Sequence, residues 1–186
     1  MLVDGFDDTL NIERAKAGDL QAFDLIVKRY AEQVYRIGLR MTNNRDDAED
    51  IQQETFLRVY RHLHRFRSDS SFSTWLSSIA VNVCLTHRQK AAQHPTVQLV
   101  DDWEAHADVE QTVEHELLAG AEADRVQRIL SLLAPQDRVV LILKYVEGFS
   151  HEEIAATLNC SSGSCRSRLH RAKKLFQEHF LKGNSE

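Results

Sequence analysis

Seven glycines and two prolines are the only strong chain breakers in 186 residues. Many-stranded folds need a tight turn every few residues, and tight turns draw on glycine and proline, so an all-β architecture is excluded at the outset. The hydrophobic pattern agrees. Phe23, Ile26, Val27, Tyr30, Val34, Ile37 and Met41 recur at three- and four-residue steps, the spacing of one helix face. Asn43, Asn44 and the acidic pair Asp46-Asp47 then read as a turn and a helix start, with carboxylates where the helix dipole favours them. The next helix runs to His64, burying Ala48, Ile51, Val59 and Leu63. A third, from Phe72 to Lys90, turns Trp75, Leu76, Ile79, Ala80 and Val83 inward. Three long helices on short loops predict a bundle.

Residues 93–118 lose this periodicity and collect acid, with no Lys or Arg between positions 99 and 124. They read as an acidic linker, helical near its end. A second helical unit follows, with helices over 122–133 and 136–147, the latter after Pro135 in the first-turn position that suits proline. Ser150-His151-Glu152-Glu153 has the pattern of a capping box and opens a short helix. Asn159-Cys160-Ser161 turns the chain into a last helix over 162–180. A short helix, a tight turn and a longer basic helix predict a helix-turn-helix. The expected architecture is all-α, with two small helical domains (1–92 and 119–186) joined by the linker 93–118.

A net charge of −5, from 23 Lys+Arg against 28 Asp+Glu, argues against nucleic acid until the distribution is read. Residues 161–182 carry Arg166, Arg168, Arg171, Lys173, Lys174 and Lys182 against Glu178 alone. Such segregation marks a polyanion site or a pair of solvated helix faces. In the last helix Cys165, Leu169, Ala172 and Phe176 form the inward stripe, so Ser167, His170, Arg171 and Lys174 face out. On that face Arg171 suits a bidentate contact to a guanine edge, with shorter contacts from Ser167 and His170. Arg166, Arg168 and Lys174 suit phosphates. The plainer alternative is a helical hairpin with a basic solvent face. Earlier in the chain, Phe66, Phe72 and Trp75 surround a Ser-rich loop, and Ser78, Asn82, Thr86 and Gln89 line the outer face of the third helix. Aromatics beside uncharged hydrogen-bonding groups suit unstacked bases, with Arg88 and Lys90 available for phosphates. Phe72 and Trp75 at a helix start serve equally well as core.

No apolar run approaches the roughly 18–20 residues of a membrane span, and the mean hydropathy is −0.41. Residues 1–16 carry Asp4, Asp7, Asp8 and Glu13 without an apolar stretch, unlike a signal peptide. Cys84, Cys160 and Cys165 form no disulfide framework and fit reduced thiols, so a cytoplasmic protein is expected. His62 and His64 fall on different helix faces, and His151-Glu152-Glu153 lacks the second histidine of a zinc-protease helix. With no Gly-rich phosphate loop or nucleophile motif, neither an enzyme nor a metal or cofactor is expected.

These segments together resemble the bacterial extracytoplasmic-function sigma factors, the smallest members of the sigma-70 superfamily. Gly18-Asp19-Leu20-Gln21-Ala22-Phe23 is similar to the family's GD-x-x-AF opening. Residues 47–56, Asp-Ala-Glu-Asp-Ile-Gln-Gln-Glu-Thr-Phe, resemble its DAEDxxQExF polymerase-binding helix. Phe72-Ser73-Thr74-Trp75-Leu76, followed by Ile79, Ala80 and Asn82, matches its promoter-melting helix. Residues 133–138, 148–155 and 163–172 resemble three motifs of its second domain. Ser164 and Cys165 stand where Thr and Val are usual, and Thr86 where Asp is frequent.

The resemblance implies a non-enzymatic initiation factor. Asp47, Asp50, Gln53, Glu54 and Phe56 would dock on the clamp helices of core RNA polymerase. Phe72, Ser73, Trp75, Ser78, Asn82, Arg88 and Lys90 would melt the −10 element and hold an extruded base. Arg166, Ser167, Arg168, His170, Arg171 and Lys174 would read the −35 element as duplex promoter DNA. The linker would thread toward the polymerase's RNA-exit path, and a membrane-anchored anti-sigma factor would cover these surfaces. The competing class is a two-domain helix-turn-helix regulator that acts without core polymerase and needs neither the 47–56 nor the 72–76 motif.

Overall fold

The computed structural model describes residues 8–93 and 113–182, with side chains for 8–87 and 122–182. The first seven and last four residues, and most of the expected linker, lie outside it. Among the described residues every regular element is helical.

Helix α2 (Leu20–Thr42) is the axis of the first unit. Asp19 caps its start by accepting from the Gln21 and Ala22 amides, and Asn43, in the left-handed region at φ 60°, ends it. Its stripe Ala22, Ile26, Tyr30, Val34, Ile37 and Met41 is buried, as the three- and four-residue spacing requires. Helix α1 (Asp8–Lys16), which the periodicity does not reveal, packs Ile12 and Ala15 against α2. Helix α3 (Arg45–His62), capped by Asn44 on the Asp47 amide, crosses α2 closely. A Cβ on Gly38 would stand 3.2 Å from the Ala48 Cα, so a larger residue there would push the two helices apart by a few tenths of an ångström. A 3₁₀ turn (Leu63–Arg65) and a polar loop lead to α4 (Phe72–Gln93), whose Phe72, Leu76, Ala80, Val81, Val83 and Cys84 complete the bundle core.

Helix α5 (Val113–Leu132) opens within the end of the 93–118 stretch, the part that the sequence reads as helical. After Pro135, α6 (Pro135–Leu141) does not continue as one α-helix to position 147. It widens into a π-helical turn (Ile142–Val146) that ends at Gly148, φ 73°. Helix α7 (His151–Thr157) carries the expected capping box, Ser150 and Glu153 each satisfying the other's backbone amide. Asn159, φ 48°, makes the turn into α8 (Ser162–Lys182). The helix-turn-helix is present, and Cys165, Leu169 and Ala172 are its buried stripe.

The two units pack against each other, α7 on α4 and α5 and α6 on α2. Arg36 donates from Nε and Nη2 to the two oxygens of Glu147, both at 2.9 Å, and the Glu147 side chain is only 3% exposed. Arg40 and Gln127 exchange two hydrogen bonds, at 3.0 and 3.2 Å. Arg138 is fully buried and donates to three carbonyls, those of Met41, Ser131 and Leu133. Its cation thereby closes the C-terminal ends of α2 and α5, where the helix dipole favours positive charge.

Candidate nucleic-acid and polymerase interface

Helix α8 has the rotation its sequence predicts. Ser161 caps it on the Ser164 amide. Arg166, Ser167, His170, Arg171 and Lys174 are exposed, and Arg168 is half-buried. A face of this composition, on the second helix of a helix-turn-helix, fits the major groove, with one polar pair for base edges and cations to either side for phosphates. Arg171 is not free, however. Its Nη2 donates to Asp137 Oδ1 of α6 at 2.5 Å. Asp137 escaped the sequence reading because it lies 34 residues away, in another helix.

The second surface lies where the loop 66–71 meets α4. Arg65, Phe66, Arg67, Asp69, Ser70 and Trp75 line a pocket of about 280 Å³. Trp75 is the half-exposed wall. Phe72, expected beside it, is instead buried within contact of Tyr30, Phe66 and Trp75, at ring separations of 5.2, 5.3 and 5.7 Å. Of the two readings held open for these rings, Phe72 takes the core, while Trp75 packs on Phe66 and Phe72 and leaves its remaining surface on the pocket. Ser73 is bonded to Gln33, and Ser78 donates to the Trp75 carbonyl at 2.6 Å, so both hydroxyls are engaged inside the fold. Asn82 is exposed on the outer face of α4. The side chains of Arg88 and Lys90 lie outside the described residues. Arg65 and Arg67 were not singled out from sequence. The signal for them was present, as two cations flanking an aromatic at the edge of a Ser-rich loop.

On α3, Asp50 and Gln53 are exposed, and Asp47 and Glu54 are half-buried, with Glu54 accepting from Arg58 Nε at 2.6 Å. Phe56 corrects the expectation. At 8% exposure it shares the face of Val59, three residues on, and packs in the core, so it supports the surface only from beneath. The sequence reading missed Leu57 and Tyr60, both 51% exposed. The spacing of Asp50, Gln53, Leu57 and Tyr60 puts all four on one helix face, acidic and polar at one end and apolar at the other. Tyr60 is held edge-on by Phe23 at 5.1 Å.

Burial pushes the Cys84 thiol up to about 12 and also raises that of Cys165, leaving both protonated at neutral pH. No group of three or more potential ligands gathers among the described residues. No described helix is long and apolar enough to cross a membrane.

Comparison with known proteins bears on both units. Residues 26–94 match sigma-70 region 2, and residues 123–176 match sigma-70 region 4. The RNA polymerase sigma-H factor of Pseudomonas aeruginosa is 36% identical over 172 residues, covering 88% of each chain. The ECF RNA polymerase sigma factor SigE of Mycolicibacterium smegmatis is 32% identical over 170 residues, 90% of this chain but 65% of that longer relative. The sigma factor RpoE from Bartonella quintana, solved in complex with the anti-sigma factor NepR, shares the fold. It superposes with a TM-score of 0.66 at 21% identity, over 86% of this chain and 96% of that one. A regulator built on a helix-turn-helix alone would leave the match over 26–94 without a purpose. The chain therefore belongs to the extracytoplasmic-function RNA polymerase sigma factors of the sigma-70 family.

Proposed function

We propose that this sigma factor divides promoter recognition among the three surfaces described above. The α3 face of Asp50, Gln53, Leu57 and Tyr60, with Glu54 at its margin, docks on the clamp helices of core polymerase. Its carboxylates pair with basic residues there, and Leu57 and Tyr60 supply the apolar anchor that interfaces place at their centres. Helix α8 lies in the major groove of the −35 element. The pocket beside Trp75 receives a base extruded from the −10 element, stacked on the indole while Arg65 and Arg67 hold the flanking phosphates. The observation that carries this reading is that pocket. At about 280 Å³ it is slightly smaller than the roughly 300–1,000 Å³ of typical ligand sites, as a site for a single base would be, and its lining includes the Trp75 indole and two cations, Arg65 and Arg67.

No catalytic step is assigned to the chain, because bond formation belongs to the polymerase. The setting is the cytoplasm, where core polymerase and promoters are found. The regulator is an anti-sigma factor, in keeping with the complex formed by the Bartonella relative.

Reconstitution with core polymerase and sequencing of transcript starts tests the whole reading. Specific starts downstream of a common −35/−10 pair are expected. The triple variant Asp50→Ala, Gln53→Ala, Glu54→Ala should stay folded, since none of the three belongs to the core, and should lose core binding in a pull-down. Tight, sequence-specific binding of the lone chain to a palindrome, without polymerase, would overturn the reading in favour of a free-standing regulator.

A further inference from the structure

Asp137 has a carboxylate that its own helix does not need to bury. It stands in the first turn of α6, where the dipole welcomes an acid even in solvent, yet its side chain is 5% exposed and its Oδ1 is taken by Arg171. A buried carboxylate is tolerated only when paired, so this contact holds wherever α6 and α8 pack. Arg171 meanwhile remains 62% exposed. The guanidinium is thus clamped on one side and open on the others, on the same face as Ser167 and His170.

A guanidinium has five donors in a rigid fork. One N–H of Nη2 satisfies Asp137, and enough remain for a two-point contact to the O6 and N7 acceptors of a guanine. Arginine otherwise loses much rotamer freedom when it is ordered at an interface. Asp137 removes that loss in advance by fixing the side chain before DNA arrives. It also offsets part of the guanidinium's charge, which makes Arg171 a poorer phosphate ligand than Arg166 or Arg168.

We propose that Asp137 is the positioning residue of the −35 reading head, holding Arg171 so that it discriminates a guanine edge instead of gripping the backbone. This rests on the assignment of α8 to the −35 duplex, and the experiment separates the two claims. Holoenzyme is assembled with Asp137→Ala, Asp137→Asn, Arg171→Ala and the double variant Asp137→Ala/Arg171→Ala. Base preference is then read on a promoter library randomised at the −35 element, at several salt concentrations. Arg171→Ala should reduce preference at one or two positions by about tenfold, the scale of one bidentate base contact. Asp137→Ala should reduce it at those same positions and steepen the salt slope, because the released guanidinium is free to reach a phosphate. Asp137→Asn should do so less, since an amide oxygen is a weaker acceptor that still bonds. In the Arg171→Ala background the alanine change should have no further effect on preference. Asp137→Asn decides the matter if the alanine variant fails to fold. Full preference in a folded Asp137 variant, or an equal loss with and without Arg171, overturns the positioning role and leaves the −35 assignment standing. Unchanged preference in Arg171→Ala overturns both.

Discussion

Phe72 and Trp75 are three residues apart on one helix and have opposite fates. Phe72 is enclosed by Tyr30 and Phe66, so Phe72→Ala should destabilise the first unit by about 3–5 kcal/mol, the usual result of emptying a buried aromatic site. Thermal or urea unfolding would show it. Trp75 faces the pocket, and Arg67 beside it is exposed and outside the core. Arg67→Ala should therefore leave the melting curve unchanged and slow open-complex formation on duplex promoters. A template already unpaired at −10 should restore the rate in part, because the variant then no longer has to capture a base against duplex pairing. Equal defects on both templates would place Arg67 in duplex binding. Which ring was core and which was wall could not be read from the sequence. Both satisfy the same three- and four-residue spacing, and only the position of the 66–71 loop separates them.

At the scale of the element, capping chemistry was largely legible. Asn44 and Ser150 each sit one residue before a helix with an oxygen to offer, and each accepts a backbone amide there, as does Asp19, which the sequence analysis did not mark as a cap. Asp19 makes a pH prediction. The Ala22 amide, followed by the Arg14 side chain, holds its carboxyl below the ordinary value of 3.8. A depressed native value means that the carboxylate's contribution is complete above the unfolded value near 3.8 and is lost as pH falls through the lower folded one. Asp19→Asn keeps the cap without the titration. Urea unfolding at pH 6 and pH 3 should show a smaller drop for Asn than for Asp, and an identical drop would mean that the cap is insensitive to its charge. Other elements were not legible. Helix α1 has only nine residues, too short to be stable alone, and exists because Ile12 and Ala15 dock on α2. The widening of α6 into a π turn leaves no mark in its apolar run. The linker's end reads as helical, but the acid there leaves Val113 unmarked as the first residue of α5.

At the scale of the molecule, the proposed reading, with α8 on the −35 element and the Trp75 pocket on the −10 element, requires an arrangement of the two units other than the packed one. Elements centred about 25 base pairs apart lie on the order of 80 Å apart at about 3.4 Å per step, whereas α4 and α7 touch. On that reading promoter engagement parts them and breaks the Arg36–Glu147 pair. Arg36→Ala leaves the buried Glu147 carboxylate without its partner. It should favour separation by about 2 kcal/mol, between the values for exposed and buried pairs. Fluorescence energy transfer between probes placed at Asp69 and Lys174 should fall in the free variant, and an unchanged signal would show that the pair does not hold the units together. Sequence alone determined the helical class, the bundle stripes, the helix-turn-helix and the rotation of its last helix, because each is written in spacings of three to four residues along one segment. The Trp75 pocket, the outward Leu57 and Tyr60, the Asp137 hold on Arg171 and the contact between the units came only from the tertiary structure. Each joins residues distant in the chain or selects among equally spaced ones, and burial, not periodicity, makes that choice.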